Sequence, residues 1–336
     1  MSFKVRLEPS GHSFVVEENE VVLDAAIRHG LSLQYGCRNG VCGACKGKVV
    51  EGEIRYPKGL PAAVTEAEAA VGQALLCSAH AASDLVLEVR EIGGGNEVPV
   101  RKMPARVVRM ERLADDVMRL YLKLPDTERL QFLAGQYLDV LLPDGRRRSF
   151  SMANAPHDDE LIELHIRHIE GGEFTGHVFN AMQEKDILRI DGPYGTFALQ
   201  EESERPVIFI AGGTGLAPIK AIIEHAIQEG ISRPIHFYWG VRGKADLYLD
   251  EVPRTWAQHD NISYVPVLSE PKAEDDWQGR TGLVHQAVLE DFDDIFNYDV
   301  YASGPPVMVE ALRQGVSLKG LASKHFFYDS FDFAQD

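Results

Sequence analysis

The sequence of 336 residues is poor in cysteine, in positive charge and in long apolar stretches. Its 34 Lys and Arg residues are outnumbered by 51 Asp and Glu residues, so the net charge is −17. This charge argues against nucleic acid or an anionic membrane as a partner, because both attract basic surfaces. No apolar run approaches the length of a bilayer span, and the first residues alternate like a strand instead of forming the apolar core of a signal peptide.

Only four cysteines are present, and three of them lie in one short loop. Cys37, Cys42 and Cys45 follow the pattern C-x4-C-x2-C, and Cys77 comes after a long gap. This spacing matches the plant-type [2Fe-2S] ferredoxin signature, in which four thiolates hold two irons. Three ligands from one tight loop require backbone to bend closely around inorganic sulfide. The sequence therefore predicts a [2Fe-2S] cluster on these four cysteines.

Gly36, Gly40 and Gly43 support this interpretation, because glycine allows positive φ and close backbone approach. Three other interpretations compete with it. Structural zinc usually shows paired C-x2-C knuckles, two disulfides would suit a short secreted chain, and unrelated buried thiols would not be expected to cluster in this way. The cluster accounts for every cysteine, so the reducing cytoplasm is the simplest location.

The rest of the composition is that of a globular protein, 45% hydrophobic and 25% charged, and the chain is long enough for two or three domains. The strands, the helix and the cysteine loop of residues 1–92 together resemble the β-grasp fold of plant-type ferredoxins. Three consecutive glycines begin a predicted flexible linker, residues 93–103. Alternating patterns in residues 104–200 predict a small antiparallel barrel, and strands alternating with helices in residues 201–336 predict a parallel α/β domain. The expected class is thus a multidomain combination of α+β and α/β.

The predicted barrel contains the motif Arg148-Ser149-Phe150-Ser151, which resembles the Arg-x-aromatic-Ser motif of flavin-binding barrels of the ferredoxin-reductase type. A guanidinium at Arg148 would suit the pyrophosphate of FAD. An aromatic ring at Phe150 would pack on the flat isoalloxazine, and the Ser151 hydroxyl would bond N5, the atom that accepts the hydride. The alternative is a charged hairpin end followed by a buried strand. Further along, a loop entering a short helix presents Phe174 and Thr175, whose N–H groups would receive the flavin pyrophosphate.

In the third block, a buried apolar strand is followed by a glycine-rich loop and a helix. This arrangement makes a cradle for a dinucleotide pyrophosphate. The loop resembles the nicotinamide site of ferredoxin reductases, with the candidate residues Gly212, Gly213, Thr214, Gly215 and Pro218.

Three further positions are expected to contact the cofactors. The loop that carries Arg242 and Asp246 follows the next strand and should meet the adenosine ribose of NADH. A later strand ends in Ser303, Gly304 and Pro305 and should meet the nicotinamide. Phe331 belongs to an aromatic tail that either covers the flavin or forms a plain hydrophobic last strand.

Together, the three blocks resemble the family of NADH-dependent iron–sulfur flavoprotein reductases with an N-terminal ferredoxin domain, which includes the reductase components of benzoate dioxygenase and phenol hydroxylase. Residues 147–156 and 282–291 are similar to the reductases that serve CDP-deoxysugar dehydrases. The resemblance implies hydride transfer from NADH to FAD, and single electrons passing to a [2Fe-2S] cluster and on to a partner protein. It also implies catalytic roles for Ser151 and Ser303, although the family often has Cys at 303 and Tyr at 150.

Three functions remain open at this point. The chain is a reductase for a deoxysugar dehydrase, a reductase for a ring-hydroxylating dioxygenase or multicomponent monooxygenase, or a non-catalytic electron carrier or redox sensor. A carrier would need no nicotinamide site, so the glycine-rich loop argues against the third. We expect the chain to act as a monomer, with NADH and an electron-accepting protein as its partners.

Overall fold

The computed structural model describes residues 2–89, 91 and 98–331. The chain divides into two compact units, Met1–Pro99 and Val100–Asp336. The predicted joint Gly93-Gly94-Gly95 lies outside the described residues. Within the described ranges, every helix is too short or too polar to cross a bilayer.

The first unit is a five-stranded mixed sheet with the strand order β2-β1-β7-β3-β5 and two short helices. Strand β1 runs parallel to the central strand β7, and the other pairs are antiparallel. Val5 and Leu7 of β1 are fully buried, as their alternation with polar residues predicts. The fold is the predicted ferredoxin β-grasp. The elements are β1 (Ser2–Glu8), β2 (Ser13–Glu17), α1 (Val22–Arg28), β3 (Lys46–Glu51), β4 (Ile54–Arg55), α2 (Glu66–Ala70), β5 (Gln73–Leu75), β6 (His80–Ala81) and β7 (Leu85–Glu88).

The second unit begins with a six-stranded antiparallel sheet of order β11-β10-β13-β8-β9-β12. A bridge between Met152 and Leu164 joins its two ends, which closes the sheet into a barrel. The first strand begins at Arg101, so residues 101–103 of the predicted linker are part of it. The elements are β8 (Arg101–Ala114), β9 (Val117–Lys123), β10 (Tyr137–Leu141), β11 (Arg147–Ser151), β12 (Ile162–Arg167), α3 (Glu173–Asn180) and β13 (Ile187–Tyr194).

The remainder of the second unit is a six-stranded parallel sheet of order β17-β16-β15-β14-β18-β19. Successive residues of β14 enter apolar clusters on opposite faces, Phe209 on one and Ile210 on the other, as expected for a sheet covered on both sides. The elements are β14 (Val207–Gly212), α4 (Leu216–Gln228), β15 (Ile235–Val241), α5 (Glu251–Trp256), β16 (Ile262–Leu268), β17 (Arg280–Thr281), α6 (Val284–Asp291), β18 (Asp299–Gly304), α7 (Pro306–Leu318) and β19 (Phe326–Ser330).

Candidate functional site

The cysteine loop has the geometry of a sulfur-binding turn. Cys37 Sγ accepts from the N–H groups of Asn39 and Cys42, each at 3.4 Å, and Cys42 Sγ accepts from Cys37 N at 3.4 Å. Gly40 and Gly43 have φ of 80° and 77°, which only glycine adopts without strain. The hydrogen bond from Cys42, together with backbone N–H groups, lowers the pKa of Cys37 to about 6. Such N–H donors stabilise thiolate, the form that ligates iron.

The four thiols pair two and two. Cys37 shares a hydrogen bond with Cys42, and Cys45 shares one with Cys77. All four are free of disulfides. Among the described residues, which include every cysteine, no three His, Cys, Asp or Glu side chains are arranged around a single metal ion. Two pairs of thiolates fit a binuclear cluster with two ligands per iron better than one tetrahedral zinc.

The predicted flavin motif forms β11, an edge strand whose only described strand partner along Arg147–Ser151 is β10. Its side chains alternate between two faces. Arg148 and Phe150 stand opposite Val140 and Leu138, whereas Ser149 Oγ donates to Asp139 Oδ1 at 2.6 Å on the other face. A planar ligand lying along the strand edge would therefore reach side chains of both faces. The motif is a strand edge and not only a charged hairpin end.

The start of α3 lies beside this strand. Phe174 packs against Phe150 with ring centroids 5.5 Å apart, and Glu173 pairs with Arg146 just before β11. The hydroxyl of Thr175 bonds its own loop, accepting from Ile169 N at 3.1 Å, so only its backbone N–H remains to serve a phosphate in the predicted way. The helix N-terminus thus stands beside the strand that carries Arg148, and a bound FAD pyrophosphate would draw on both.

The glycine loop and the turn after β18 meet at the carboxyl edge of the parallel sheet. Gly213–Gly215 forms a 3₁₀ turn, and Pro218 lies in the first turn of α4. A methyl group on Gly215 would lie 2.1 Å from the carbonyl oxygen of Ser303, so glycine is required for this contact. Gly304 has φ 144° and packs on Gly212 in the same way, and Pro305 next to it is exposed.

Ser303 carries an observation that suits a bound nicotinamide. Its side chain is fully buried, and its Oγ has no hydrogen-bond partner among the described residues. An unpaired buried hydroxyl costs about 1–3 kcal/mol, and the carboxamide of a nicotinamide at this edge would satisfy it. Ser303 is flanked by Ala211 on β14 and Asp329 on β19.

The barrel and the sheet edge are joined directly. Ser151 Oγ of β11 donates to Asp329 Oδ2 at 3.1 Å, and both residues are buried. The residue after β19, Phe331, donates its N–H to Gly304 O at 2.9 Å. The predicted flavin and nicotinamide residues are therefore neighbours, although they lie more than 150 positions apart.

The predicted ribose loop follows β15. Arg242 is exposed, and the Asp246 carboxylate accepts the Gly243 N–H at 2.9 Å, which holds the loop closed. Lys244 Nζ donates to Asp275 O at 2.9 Å. This loop stands beside the glycine loop along the sheet edge, because β15 pairs with β14.

The three blocks match three known domain models. Residues 5–82 match a 2Fe-2S iron-sulfur cluster binding domain, residues 104–199 an oxidoreductase FAD-binding domain and residues 209–314 an oxidoreductase NAD-binding domain. The chain is 39% identical over 332 residues to the CDP-6-deoxy-L-threo-D-glycero-4-hexulose-3-dehydrase reductase of Yersinia pestis, covering 98% of this chain and 99% of the relative. This chain belongs to the family of NADH-dependent iron–sulfur flavoprotein reductases.

Two further comparisons span nearly the whole chain. The reductase is 35% identical over 342 residues to the phenol 2-monooxygenase reductase component DmpP of Pseudomonas sp. strain CF600, covering 100% of this chain and 96% of the relative. The structure of the present chain superimposes on the crystal structure of the Amycolatopsis cytochrome P450 reductase GcoB with a TM-score of 0.83 and 32% identity, covering 98% of both chains. The reductase therefore uses FAD, a [2Fe-2S] cluster and NADH.

Sequence reasoning missed several residues of the reductase that contact the predicted site. Asp329 lay hidden in an aromatic run, and Trp239, whose Nε1 donates to Gly213 O at 2.9 Å, looked like a core residue of a strand. Glu163, His165 and Arg167 of β12 were missed as well. A signal for these three was available, because they alternate with apolar residues and point away from the barrel core.

Proposed function

We propose that this reductase takes electrons in pairs from NADH and delivers them singly to a partner protein, by way of FAD and the [2Fe-2S] cluster. When bound, FAD accepts a hydride and releases its electrons one at a time, which links a two-electron donor to a one-electron acceptor. The observation that carries the proposal is the Ser151–Asp329 hydrogen bond, which sets the flavin strand against the nicotinamide edge of the sheet.

The chain's residues divide the work as follows. Arg148, with the start of α3, binds the flavin pyrophosphate, and Phe150 packs on the ring. The single hydrogen of the Ser151 hydroxyl is donated to Asp329, so only its oxygen lone pairs remain to face the ring edge. The buried Ser303 hydroxyl receives the nicotinamide carboxamide. The N–H groups of the glycine loop bind the NADH pyrophosphate. In the first unit, the four cysteines hold the cluster: Cys37, Cys42, Cys45 and Cys77.

For the partner, we propose a CDP-deoxysugar dehydrase, with the reductase acting as a monomer in the cytoplasm. The support is the 39% identity to the Yersinia dehydrase reductase over nearly the whole chain, against 35% to the phenol 2-monooxygenase component. An oxygenase component is the second candidate. The carrier or sensor alternative does not fit, because membership of this family makes the chain an NADH-dependent oxidoreductase. NADH-dependent turnover of a purified dehydrase of this class, compared with an oxygenase component, tests the choice.

The electron path is tested by Cys77→Ser, with two acceptors. A neutral hydroxyl is a poor substitute for thiolate on iron, so the cluster should be lost or crippled. Flavin should stay bound and NADH should still reduce ferricyanide, whereas reduction of cytochrome c or of the dehydrase should collapse. Val71→Ser, an exposed substitution in the same unit, should change neither activity. Equal loss with both acceptors in a flavin-replete protein would contradict a cluster that lies downstream of flavin.

A further inference from the structure

Strand β12 presents a polar face to the parallel-sheet half of the second unit. Glu163, His165 and Arg167 alternate with Ile162, Leu164 and Ile166, and the apolar set fills the barrel core. Glu163 and His165 are nonetheless only 6% and 5% exposed, so something covers them. We call these three polar residues the β12 polar face. Buried groups of this kind are costly unless each has a partner, so their partners indicate what the face is for.

Glu163 is paired with a lysine from the helix that follows the glycine loop. Lys220 of α4 is 8% exposed, and its Nζ donates to Glu163 Oε2 at 3.2 Å, to Glu224 Oε2 at 3.0 Å and to Ala153 O at 3.1 Å. Three acceptors satisfy all three ammonium hydrogens. Ala153 lies two residues after Ser151, so Lys220 ties the helix of the glycine loop to the segment that carries the flavin serine.

His165 makes the second connection. Its Nε2 lies 2.8 Å from Glu163 Oε1, and its Nδ1 lies 3.1 Å from the hydroxyl of Tyr248. Burial lowers the pKa of His165, which keeps the ring neutral. A neutral ring that donates from Nε2 to the carboxylate must accept at Nδ1, so Tyr248 donates. The donor and the acceptor are thereby determined for each hydrogen bond that links Lys220, Glu163, His165 and Tyr248.

Tyr248 extends this series of contacts to the glycine loop itself. Its ring meets that of Trp239 edge to face, with centroids 5.2 Å apart, and Trp239 Nε1 donates to Gly213 O at 2.9 Å. Arg167, the third member of the β12 polar face, lies against Gly213 as well: a methyl group there would come within 2.7 Å of its guanidinium. The β12 polar face is thus connected to the glycine loop in two places, at Gly213 through Trp239 and Arg167 and at α4 through Lys220.

We propose that Glu163 and His165 are positioning residues for hydride transfer, which act through Lys220 and Tyr248 to hold the glycine loop at its place beside the flavin strand. Apolar side chains would bury the same interface without the desolvation cost, and replacing a buried ion pair by them is often neutral or stabilising. What the polar contacts add is one orientation. Donor and acceptor must be held within a fraction of an ångström for efficient transfer, so this orientation affects rate. The inference rests on the proposed nicotinamide site at the glycine loop.

The test compares Tyr248→Phe with Tyr264→Phe in the full-length holoenzyme. Each variant removes one tyrosine hydroxyl. The Tyr264 hydroxyl donates to Asp250 Oδ1 over a distance of 2.8 Å, and this pair lies away from the glycine loop. Tyr248→Phe keeps the ring against Trp239 and should retain full FAD and cluster absorbance. We expect flavin reduction by NADH to slow about tenfold in anaerobic stopped flow. We also expect the absorbance of the flavin–nicotinamide charge-transfer complex to weaken and the amides of residues 212–217 to exchange faster with solvent. Tyr264→Phe should match the wild type in all three.

Glu163→Gln is the second variant, and it should give the same pattern. The Glu163→Gln/Tyr248→Phe double variant should reduce its flavin little more slowly than the slower single variant, because the two substitutions break the same connection. A lower melting temperature with unchanged reduction rate and exchange would overturn the proposal and leave the network a packing feature. NAD⁺ should protect the amides of residues 212–217 from exchange in the wild type. Absence of that protection would overturn the nicotinamide site as well, whereas protection with wild-type behaviour in both variants would overturn only the positioning role.

Discussion

Ser151 Oγ on the edge strand of the barrel donates a 3.1 Å hydrogen bond to Asp329 Oδ2 on the edge strand of the parallel sheet. The two residues are 178 positions apart, and both are buried. A charged acceptor holds the serine hydroxyl in one rotamer, because hydrogen bonds to carboxylates are stronger than those between neutral groups. The serine proposed to contact the flavin is therefore oriented by the last strand of the chain.

Removing this pair should slow hydride transfer without releasing flavin. Ser151→Ala and Asp329→Ala should each lower the rate constant for flavin reduction by NADH by roughly tenfold, the scale of one hydrogen bond. Asp329→Asn, which keeps an acceptor oxygen, should lose less. Stopped-flow absorbance of the flavin measures this, with Ser263→Ala on exposed β16 surface as control. Wild-type rates in both alanine variants would place the flavin elsewhere.

Arg148 should determine flavin affinity. Arg148→Ala is expected to purify with substoichiometric FAD, because a charge-assisted bond to phosphate is worth about 1.5–3 kcal/mol. Arg148→Lys should be intermediate, since lysine keeps the charge but not the two parallel donors. The flavin-to-protein absorbance ratio after gel filtration gives the answer. Arg106 is an exposed arginine of the same barrel, so Arg106→Ala should keep its FAD. Full FAD occupancy in Arg148→Ala would mean that the flavin phosphate binds elsewhere.

The ribose loop should favour NADH over NADPH. Lys244 is bonded to Asp275 O, and the Asp246 carboxylate lies in the loop where a 2′-phosphate would be placed, so charge repulsion opposes the phosphate. We expect kcat/KM to be higher for NADH by about tenfold or more. Asp246→Asn, which can still accept the Gly243 N–H, should narrow the difference. An NADPH preference in the wild type would refute the prediction.

Burial of His165 should make the second unit sensitive to acid. Desolvation places the folded-state pKa of His165 below 6.5, its value in the unfolded chain. The unfolded state therefore binds more protons as the pH falls through 6.5, and the stability present above that pH is progressively lost below it. The temperature of flavin release, followed by fluorescence, should fall between about pH 7.5 and 5.5. The fall should be smaller in His165→Gln, and equal slopes would contradict this account.

Much of the site could be predicted because its chemistry is local in sequence. The cysteine spacing, the Arg148–Ser151 motif and the glycine loop each occupy a few consecutive residues, and their backbone requirements leave visible glycine and apolar patterns. The domain class follows for the same reason, since the strand and helix periods differ along the chain. The aromatic tail was ambiguous, and the structure shows it as strand β19 with Phe331 just beyond.

The polar contacts between distant segments could not be predicted in this way. Asp329, Lys220 and Tyr248 have no local pattern that distinguishes them from ordinary strand, helix and loop residues. Their partners are chosen by which edges and faces meet when the barrel closes and packs on the parallel sheet, and that depends on the free energy of the whole fold. The sequence by itself thus determined the cofactors and the domain types, and it supplied the candidate motifs for binding them. Only the tertiary structure decided which side chains orient those motifs, because a hydrogen bond requires two atoms within about 3 Å and separation along the chain says nothing about that distance.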